Sequence, residues 1–291
     1  MTYLLLILQQ VIASSTHLVA KSATSELHPT LVVLLRGVFT CLAYGTWVLI
    51  RRKHLPRIER EDIPLIMLLG LVNLPINQLL FICGVKYTTA PNAALAYALT
   101  PVFVVIFLAI ARTGEAGWKR WVGVAVALLG AAIVLVDKGA SLSPEHTLGN
   151  VMVLGASASW AVYTVLGRRI VMKYGAVYAT GLTFFSGIIL YSILYVLLPV
   201  DVDPSPLTSA EHSTTIWMQL FYLGVITSGL GYALWYYALT HMETSRVAVF
   251  NNMQPIFTTV LALIIFGTEP TIPFLVGGVI ALCGVVITQK A

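Results

Sequence analysis

The sequence predicts an all-α membrane protein of ten transmembrane helices, arranged as two five-helix repeats of inverted topology. Three observations predict this fold class: a very low charge content, ten apolar runs of membrane-spanning length, and a match of the chain onto itself at an offset of 154 residues. Ten spans of about 20 residues would use most of the chain, which leaves no room for a water-soluble domain.

Composition indicates that lipid is the main solvent of this chain. Of its 291 residues, 58% are hydrophobic and only 10% are charged, whereas soluble domains carry about 25% charged residues. The net charge of +5 does not indicate nucleic-acid binding, because the basic residues are scattered between apolar runs and form no continuous stripe. The three cysteines lie inside apolar runs without metal-ligand spacing, so we expect packing residues, no metal site and no cofactor.

Ten apolar runs are long enough to cross a bilayer. Backbone groups in lipid must satisfy their own hydrogen bonds, so each run is predicted to be a helix. The first run has no basic flank, and we expect it to be a retained span rather than a signal peptide. The runs cover residues 3–20, 30–50, 63–85, 91–111, 118–136, 148–167, 177–198, 217–239, 245–266 and 271–288.

The basic residues predict the orientation, because cytoplasmic connections are enriched in Lys and Arg. With the N-terminus inside, three basic residues lie in outer connections, namely Lys21, Lys86 and Lys138, and Arg36 lies within a span. We therefore expect a multi-pass protein of the inner (cytoplasmic) membrane with both termini in the cytoplasm. The thirteen basic residues of the inner connections are Arg51, Arg52, Lys53, Arg57, Arg60, Arg112, Lys119, Arg120, Arg168, Arg169, Lys173, Arg246 and Lys290.

The internal match predicts two repeats, 1–137 and 148–291. At an offset of 154 residues, Pro101 falls on Pro255 without a gap, and a weaker match at 147 places Lys21 on Arg168. Five spans are an odd number, so the second repeat enters the membrane from the opposite side, a plan common among secondary transporters. The helices that end each repeat share one pattern, with Gly123, Ala127, Leu128 and Gly130 matching Gly277, Ala281, Leu282 and Gly284.

Three segments resemble one known family. Residues 98–103 (Ala-Leu-Thr-Pro-Val-Phe), closed by Gly114-Glu115, are similar to the fourth helix of EamA-type ten-helix exporters in the drug/metabolite transporter superfamily. Residues 156–169 resemble the opening of the sixth helix of that family, and His28-Pro29 followed by Leu35-Arg36 resembles its second helix. The resemblance covers essentially the whole chain and implies transport of amino acids or other small metabolites, often outward, by alternating access.

One feature departs from the pattern of the related small multidrug pumps, which carry a glutamate in the first helix for proton coupling. Here that helix has no acid. We therefore favour facilitated diffusion, and His17 is the expected proton carrier if transport is coupled.

Polar and aromatic side chains within spans are the candidates for substrate binding, because such groups are costly in lipid. We expect a central cavity lined by helices 1, 3, 4, 6, 8 and 9 that accepts a small, neutral or zwitterionic, partly apolar solute. Helix–helix hydrogen bonding is the alternative interpretation of the polar groups. The predicted substrate-binding residues are Gln10, Ser14, His17, Asn77, Tyr97, Trp160, Tyr163, Ser228, Tyr232, Trp235, Asn251 and Gln254.

Two prolines and one arginine have two interpretations each. Pro101 and Pro255 are predicted hinges that free the carbonyls of Tyr97 and Asn251 as substrate acceptors, or they are static kinks. Arg36 lies about 10 Å into its helix. We interpret it as snorkelling to the interface, with attraction of a carboxylate or another anion as the alternative.

Other functional classes are disfavoured. Gly155-Ala156-Ser157-Ala158 has the form of a rhomboid-protease motif, which would need His17 or His241 as base, but such small-residue runs are common in packed spans. A non-transporting scaffold would not need an inverted repeat. We expect no enzymatic activity and no catalytic residue. The expected partners are a small-molecule solute and membrane lipid, with a monomer plausible and a dimer open.

Overall fold

The computed structural model describes residues 1–110, 118–135, 144–197, 202–208, 213–267 and 269–290. Arg112, Glu115 and Lys138 lie outside the described residues, as do positions 137 and 291 at the ends of the predicted repeats. The described part of the chain forms helices joined by short connections, and no β-strand occurs in it.

Helices of the first half begin at Thr2 and follow the predicted runs closely. A π-helical segment, Val72–Gln78, joins α3 to α4. It contains Pro75, which has no N–H group to offer to a regular α-helix. The helices are α1 (Thr2–Glu26), α2 (Pro29–Arg51), α3 (Ile63–Leu71), α4 (Leu79–Tyr87), α5 (Ala90–Ala98), α6 (Thr100–Ile110) and α7 (Trp118–Leu135).

The second half has interruptions at corresponding places. A π-helical segment, Tyr222–Gly231, joins α10 to α11, and a 3₁₀ segment, Phe250–Met253, joins α12 to α13. Interruptions of this kind often mark functional sites in helices. The helices are α8 (Pro144–Tyr174), α9 (Ala176–Leu197), α10 (Ser213–Phe221), α11 (Tyr232–His241), α12 (Thr244–Val249), α13 (Gln254–Phe266) and α14 (Ile272–Lys290).

Among the described residues, seven helical segments are long and apolar enough to cross a membrane, and shorter apolar helices cover Trp121–Gly130 and Ile272–Ile287. A polytopic, all-helical membrane protein is therefore confirmed, whereas the count of ten spans stays a prediction. The seven segments are Thr2–Glu26, Pro29–His54, Arg60–Tyr87, Ala90–Ile110, His146–Tyr174, Ala176–Leu197 and Thr244–Phe266.

Helices α1 and α8 run in opposite directions. Lys21, near the end of α1, donates a hydrogen bond from Nζ to the backbone oxygen of Lys86 (2.8 Å). Lys173, near the end of α8, places Nζ 2.5 Å from Oδ2 of Asp62. Residues 62 and 86 lie near opposite ends of the helical segment Arg60–Tyr87, and at about 1.5 Å per residue the two contacts are roughly 35 Å apart.

Helices α7 and α14 pack against each other reciprocally. A Cβ atom on Gly130 would lie 2.3 Å from the backbone nitrogen of Ala281, and one on Gly284 would lie 2.2 Å from that of Ala127. Both distances are shorter than van der Waals contact, so these positions accept only glycine without movement of a helix. Small residues bring helix backbones together in lipid in this way.

Candidate functional site

A cavity of about 60 Å³ lies between the two halves of the chain. Seven predicted substrate-binding residues line it: His17, Asn77, Tyr97, Trp160, Tyr232, Asn251 and Gln254. Pockets that hold drug-sized ligands measure roughly 300–1,000 Å³, so a solute larger than a few waters requires the lining helices to separate.

The remaining five predicted residues lie directly behind this lining. Each contacts a lining residue: Gln10 bonds Asn251, Ser14 bonds the Gln254 backbone oxygen, Ser228 bonds Arg36, and Tyr163 and Trp235 pack against Trp160. The other lining residues, which the predicted set lacks, are Gln9, Ile12, Ala13, Thr16, Arg36, Gln78, Phe81, Thr227 and Gly231.

An amide network joins α1 to the 3₁₀ segment before α13. Gln10 Nε2 donates to Oδ1 of Asn251 (3.3 Å), and Gln254 Nε2 donates to the same oxygen (3.0 Å). His17 Nε2 lies 3.0 Å from Gln254 Oε1. Because that oxygen can only accept, His17 carries its proton on Nε2, and its buried Nδ1 has no partner among the described residues.

Aromatic rings form the apolar part of the wall. His17 meets Phe81 and Tyr97 edge-on, with ring centroids 5.3 and 5.6 Å apart. On the other side, Trp160 meets Tyr232 edge-on with centroids 4.7 Å apart. Edge-to-face pairs of this kind are stabilising and leave ring faces and edges available to an apolar solute.

The first π-helical segment supplies two amide side chains. Asn77 Nδ2 donates to the Ala156 backbone oxygen (2.6 Å) and to the Tyr97 hydroxyl (3.1 Å). Gln78 Nε2 donates to the Tyr232 hydroxyl, and the buried Gln78 Oε1 has no partner among the described residues. The π-helical turn thus presents two consecutive amides near one cavity, which the sequence pattern alone did not indicate for Gln78.

Arg36 does not snorkel, and that interpretation is wrong. Its side chain is 2% exposed and lines the cavity from α2. Nε donates to Ser228 Oγ (2.7 Å) and Nη2 donates to Thr227 Oγ1 (3.1 Å). These hydroxyls belong to the second π-helical segment and hold the guanidinium at the cavity wall. Helix α2, which the prediction did not include, therefore also lines the cavity. The adjacent Thr-Ser pair in the eighth apolar run was the available sequence signal.

The prolines Pro101 and Pro255 follow breaks in their helices, but the carbonyls they free are not left open. Thr100 Oγ1 donates to the Tyr97 backbone oxygen (2.7 Å), and the backbone N–H of Gln254 donates to the oxygen of Asn251. The predicted substrate acceptors are thus occupied by partners within their own segments. Both breaks, at Leu99 and at Phe250–Met253, remain candidate hinges.

Among the described residues, Ser157 has no histidine partner, so the protease alternative lacks a catalytic pair. Ser157 Oγ lies 3.1 Å from Thr100 Oγ1, whereas His17 bonds Gln254. His241 is exposed and bonds Thr240. Intramembrane serine chemistry needs a base within hydrogen-bond reach of the nucleophile, and neither histidine is placed to serve Ser157.

Comparison with known proteins identifies similar transporters and a similar fold. An uncharacterized transporter of Archaeoglobus fulgidus is 28% identical over 294 residues, covering 99% of this chain and 96% of that protein. A probable terminal-alkyne amino-acid exporter of Streptantibioticus cattleyicolor is 26% identical over 235 residues, covering 80% of this chain and 75% of the exporter. One solved crystal structure, at 20% identity, shares the fold with a TM-score of 0.69, covering 99% of this chain and 96% of its own.

The family assignment rests on the whole chain. The model of the EamA-like transporter family matches residues 1–136 and 147–289, which confirms the resemblance inferred from the sequence motifs. The chain therefore belongs to the EamA-like transporter family and is a membrane transporter rather than an enzyme.

Proposed function

We propose that the chain carries small metabolites such as amino acids across the inner membrane, by alternating access of two inverted five-helix repeats. The observation that carries the proposal is the cavity between the two halves, lined by aromatic rings and by amide side chains of which two buried atoms, Gln78 Oε1 and Asn251 Nδ2, have no partner among the described residues. Buried polar groups without partners are costly unless something else supplies the hydrogen bonds, and a solute does so during transport.

Ten membrane crossings fit the helix order. Segments α3–α4, α5–α6, α10–α11 and α12–α13 each count as one crossing, interrupted by π-helical, single-residue or 3₁₀ breaks. With the other six helices the total is ten, and both termini are then cytoplasmic as the basic residues predict.

Two contacts support the inverted arrangement. Helices α1 and α8 are the first helices of the two proposed repeats. Their opposite directions are expected if the repeats enter the membrane from opposite sides. Gly130 packs on Ala281, and Gly284 packs on Ala127. This is the pattern of a two-fold interface, in which a contact between two residues recurs between their repeat counterparts. The repeats themselves are 1–137 and 148–291.

Related contacts lie near the end of the first helix of each repeat, and we expect alternating access to open and close them. Lys21 bonds the backbone oxygen of Lys86, and its repeat counterpart Arg168 bonds the backbone oxygen of Met242 (3.2 Å). In each repeat, a basic side chain near the end of the first membrane crossing thus bonds the backbone between the third and fourth crossings. If these two contacts open in turn, the cavity is exposed to one side of the membrane at a time.

Amino acids are the proposed substrate class because the relative from Streptantibioticus cattleyicolor is named a probable terminal-alkyne amino-acid exporter and because the cavity combines polar groups with aromatic rings. The test is counterflow in proteoliposomes that are preloaded with an unlabelled neutral amino acid and supplied with the labelled form outside. Transient accumulation of label is expected in protein-containing vesicles and not in empty ones. Absence of counterflow across amino acids, nucleobases and amines would contradict the proposed function, and the scaffold alternative would gain support.

A further inference from the structure

One lining residue gives the cavity a fixed positive charge. The guanidinium of Arg36 is buried, with the side chain 2% exposed. An arginine stays protonated at every physiological pH, so this charge persists throughout a transport cycle.

The hydrogen bonds of Arg36 are incomplete. Nε and one N–H of Nη2 are directed at Ser228 and Thr227, whereas Nη1 is buried and has no partner among the described residues. The occupied donors lie on one edge of the planar group. The other edge, formed by Nη1 and the second N–H of Nη2, is left for a ligand.

Among the described residues, no acidic side chain pairs with this arginine. All twelve acidic residues lie outside the apolar runs or at their ends, and the described ion pairs include none with Arg36. Its bonded partners are the hydroxyls of Ser228 and Thr227, and none of the nearby titratable groups, His17, Tyr97 and Tyr232, supplies a negative charge in its ordinary state. A buried cation without an anion is strongly unfavourable, so the occupied site gains most from a ligand that brings negative charge.

We propose that Arg36 anchors the carboxylate of the solute, so that the transported class is small monocarboxylates, including α-amino acids. This inference rests on the proposed transport function and narrows it. A carboxylate fits the free edge of a guanidinium with two parallel hydrogen bonds, and the same positive charge disfavours amines and other cations. Gln78 Oε1, a buried acceptor without a described partner on the cavity wall, is available to the ammonium group of an amino acid.

Three probes of nearly equal size separate the carboxylate from the rest of the solute: leucine, 4-methylpentanoate, which lacks the amino group, and leucinamide, which lacks the carboxylate. The assay is counterflow with each labelled probe in proteoliposomes, paired with thermal unfolding of the purified protein in the presence of each probe. In the wild type, at least one carboxylate probe is expected to be moved about tenfold faster than leucinamide, the size of effect expected from one charged hydrogen-bond pair.

Variants at Arg36 make the test specific. Arg36→Gln is expected to lower carboxylate transport by about tenfold or more without lowering that of leucinamide. Arg36→Lys keeps the charge, loses the two-point contact and is expected to be intermediate. Arg57→Gln removes an exposed positive charge from a connection and is the matched control, with unchanged preference expected. If Arg36→Gln fails to fold, the preference of Arg36→Lys and of Thr227→Val for leucine over leucinamide decides the matter, and an unreduced preference in both overturns the anchor.

The outcomes distinguish this inference from the proposed function. Movement of leucinamide by the wild type as fast as that of both carboxylate probes, or an equal loss of carboxylate and leucinamide transport in Arg36→Gln, would overturn the carboxylate anchor while transport stands. If no probe is moved and neither carboxylate raises the Tm, the anchor is again overturned, and counterflow of nucleobases and amines in the same vesicles then decides whether the chain transports at all.

Discussion

Gln78 donates a hydrogen bond from Nε2 to the hydroxyl of Tyr232, and these two residues are 154 positions apart in the chain. That separation is the offset at which the sequence matches itself, so each residue is the repeat counterpart of the other. In the proposed two-fold arrangement of the repeats, counterparts can touch only close to the axis that relates them. Both residues also line the cavity, so a movement of either half of the chain would alter the cavity wall.

The Gln78–Tyr232 hydrogen bond is expected to contribute measurably to stability. Hydrogen bonds between side chains of packed membrane helices contribute about 1 kcal/mol. We therefore expect a coupling of that size in a double-mutant cycle of Gln78→Leu and Tyr232→Phe, measured by unfolding in mixed micelles. Tyr3→Phe, at a side chain that is 60% exposed, should show no coupling with Gln78→Leu. Additive effects in the first cycle would contradict the interaction.

Glycine-mediated packing of α7 on α14 predicts large and similar effects at two distant positions. Gly130→Ala and Gly284→Ala each force a Cβ atom against backbone, and overpacking of this kind costs about 1–3 kcal/mol. Both variants should lower the Tm by comparable amounts. Gly45→Ala is the control, because its Cβ would meet nothing within 4 Å and alanine favours the helix. A Tm of the Gly130 or Gly284 variant as high as that of the Gly45 variant would show that the contact is absent.

Four lining residues are expected to affect transport more than folding. Substitution of Tyr97, Trp160, Tyr232 or Asn251 by alanine removes an aromatic or amide group from the cavity wall, and we expect the initial uptake rate to fall by about tenfold for at least one variant. Size-exclusion profiles should remain those of the wild type. Trp217→Ala, at a residue that is 40% exposed, controls for loss of a large side chain. Wild-type uptake in all four variants would remove these residues from the site.

The proposed orientation predicts which connections a membrane-impermeant thiol reagent reaches. The three native cysteines, Cys41, Cys83 and Cys283, are first replaced by alanine. A single cysteine at Ser205 should then be labelled from outside intact cells, and one at Arg57 only after the membrane is opened. Both positions are exposed in the structure. The reverse labelling pattern would invert the topology.

His17 is the group to test for proton coupling. It bonds Gln254 at the centre of the cavity, and the spans contain no deep carboxylate. For facilitated diffusion we expect flux that follows the solute gradient alone, with a similar response in His17→Gln. An imposed pH gradient without a solute gradient should then produce no net accumulation in proteoliposomes. Accumulation that disappears in His17→Gln would instead identify His17 as the proton carrier, and accumulation that survives would require a proton site elsewhere.

The cavity residues could be predicted from the sequence, whereas the contacts at the prolines could not. Polar groups are costly in lipid, so the twelve candidates could be chosen from their helix face, their depth within a span and the repeat. The structure brings all of them to one cavity or to the layer behind it. The role of Pro101 was less predictable. A missing N–H shows that a carbonyl is freed, but only the local fold shows that Thr100 then bonds that carbonyl.

The sequence by itself determined the helical membrane class and the family, and it predicted the two-copy organisation, because apolar length, residue motifs and internal offset are properties of the linear chain. Only the tertiary structure decided that Arg36 turns into the cavity, that Gln78 touches Tyr232 and that Trp235 lies behind Trp160. Helical periodicity shows which residues share a face, but it does not show which neighbouring helix covers that face. For Arg36 the outcome depended on two hydroxyl groups about 190 positions away, and such distant partners are brought together only by packing.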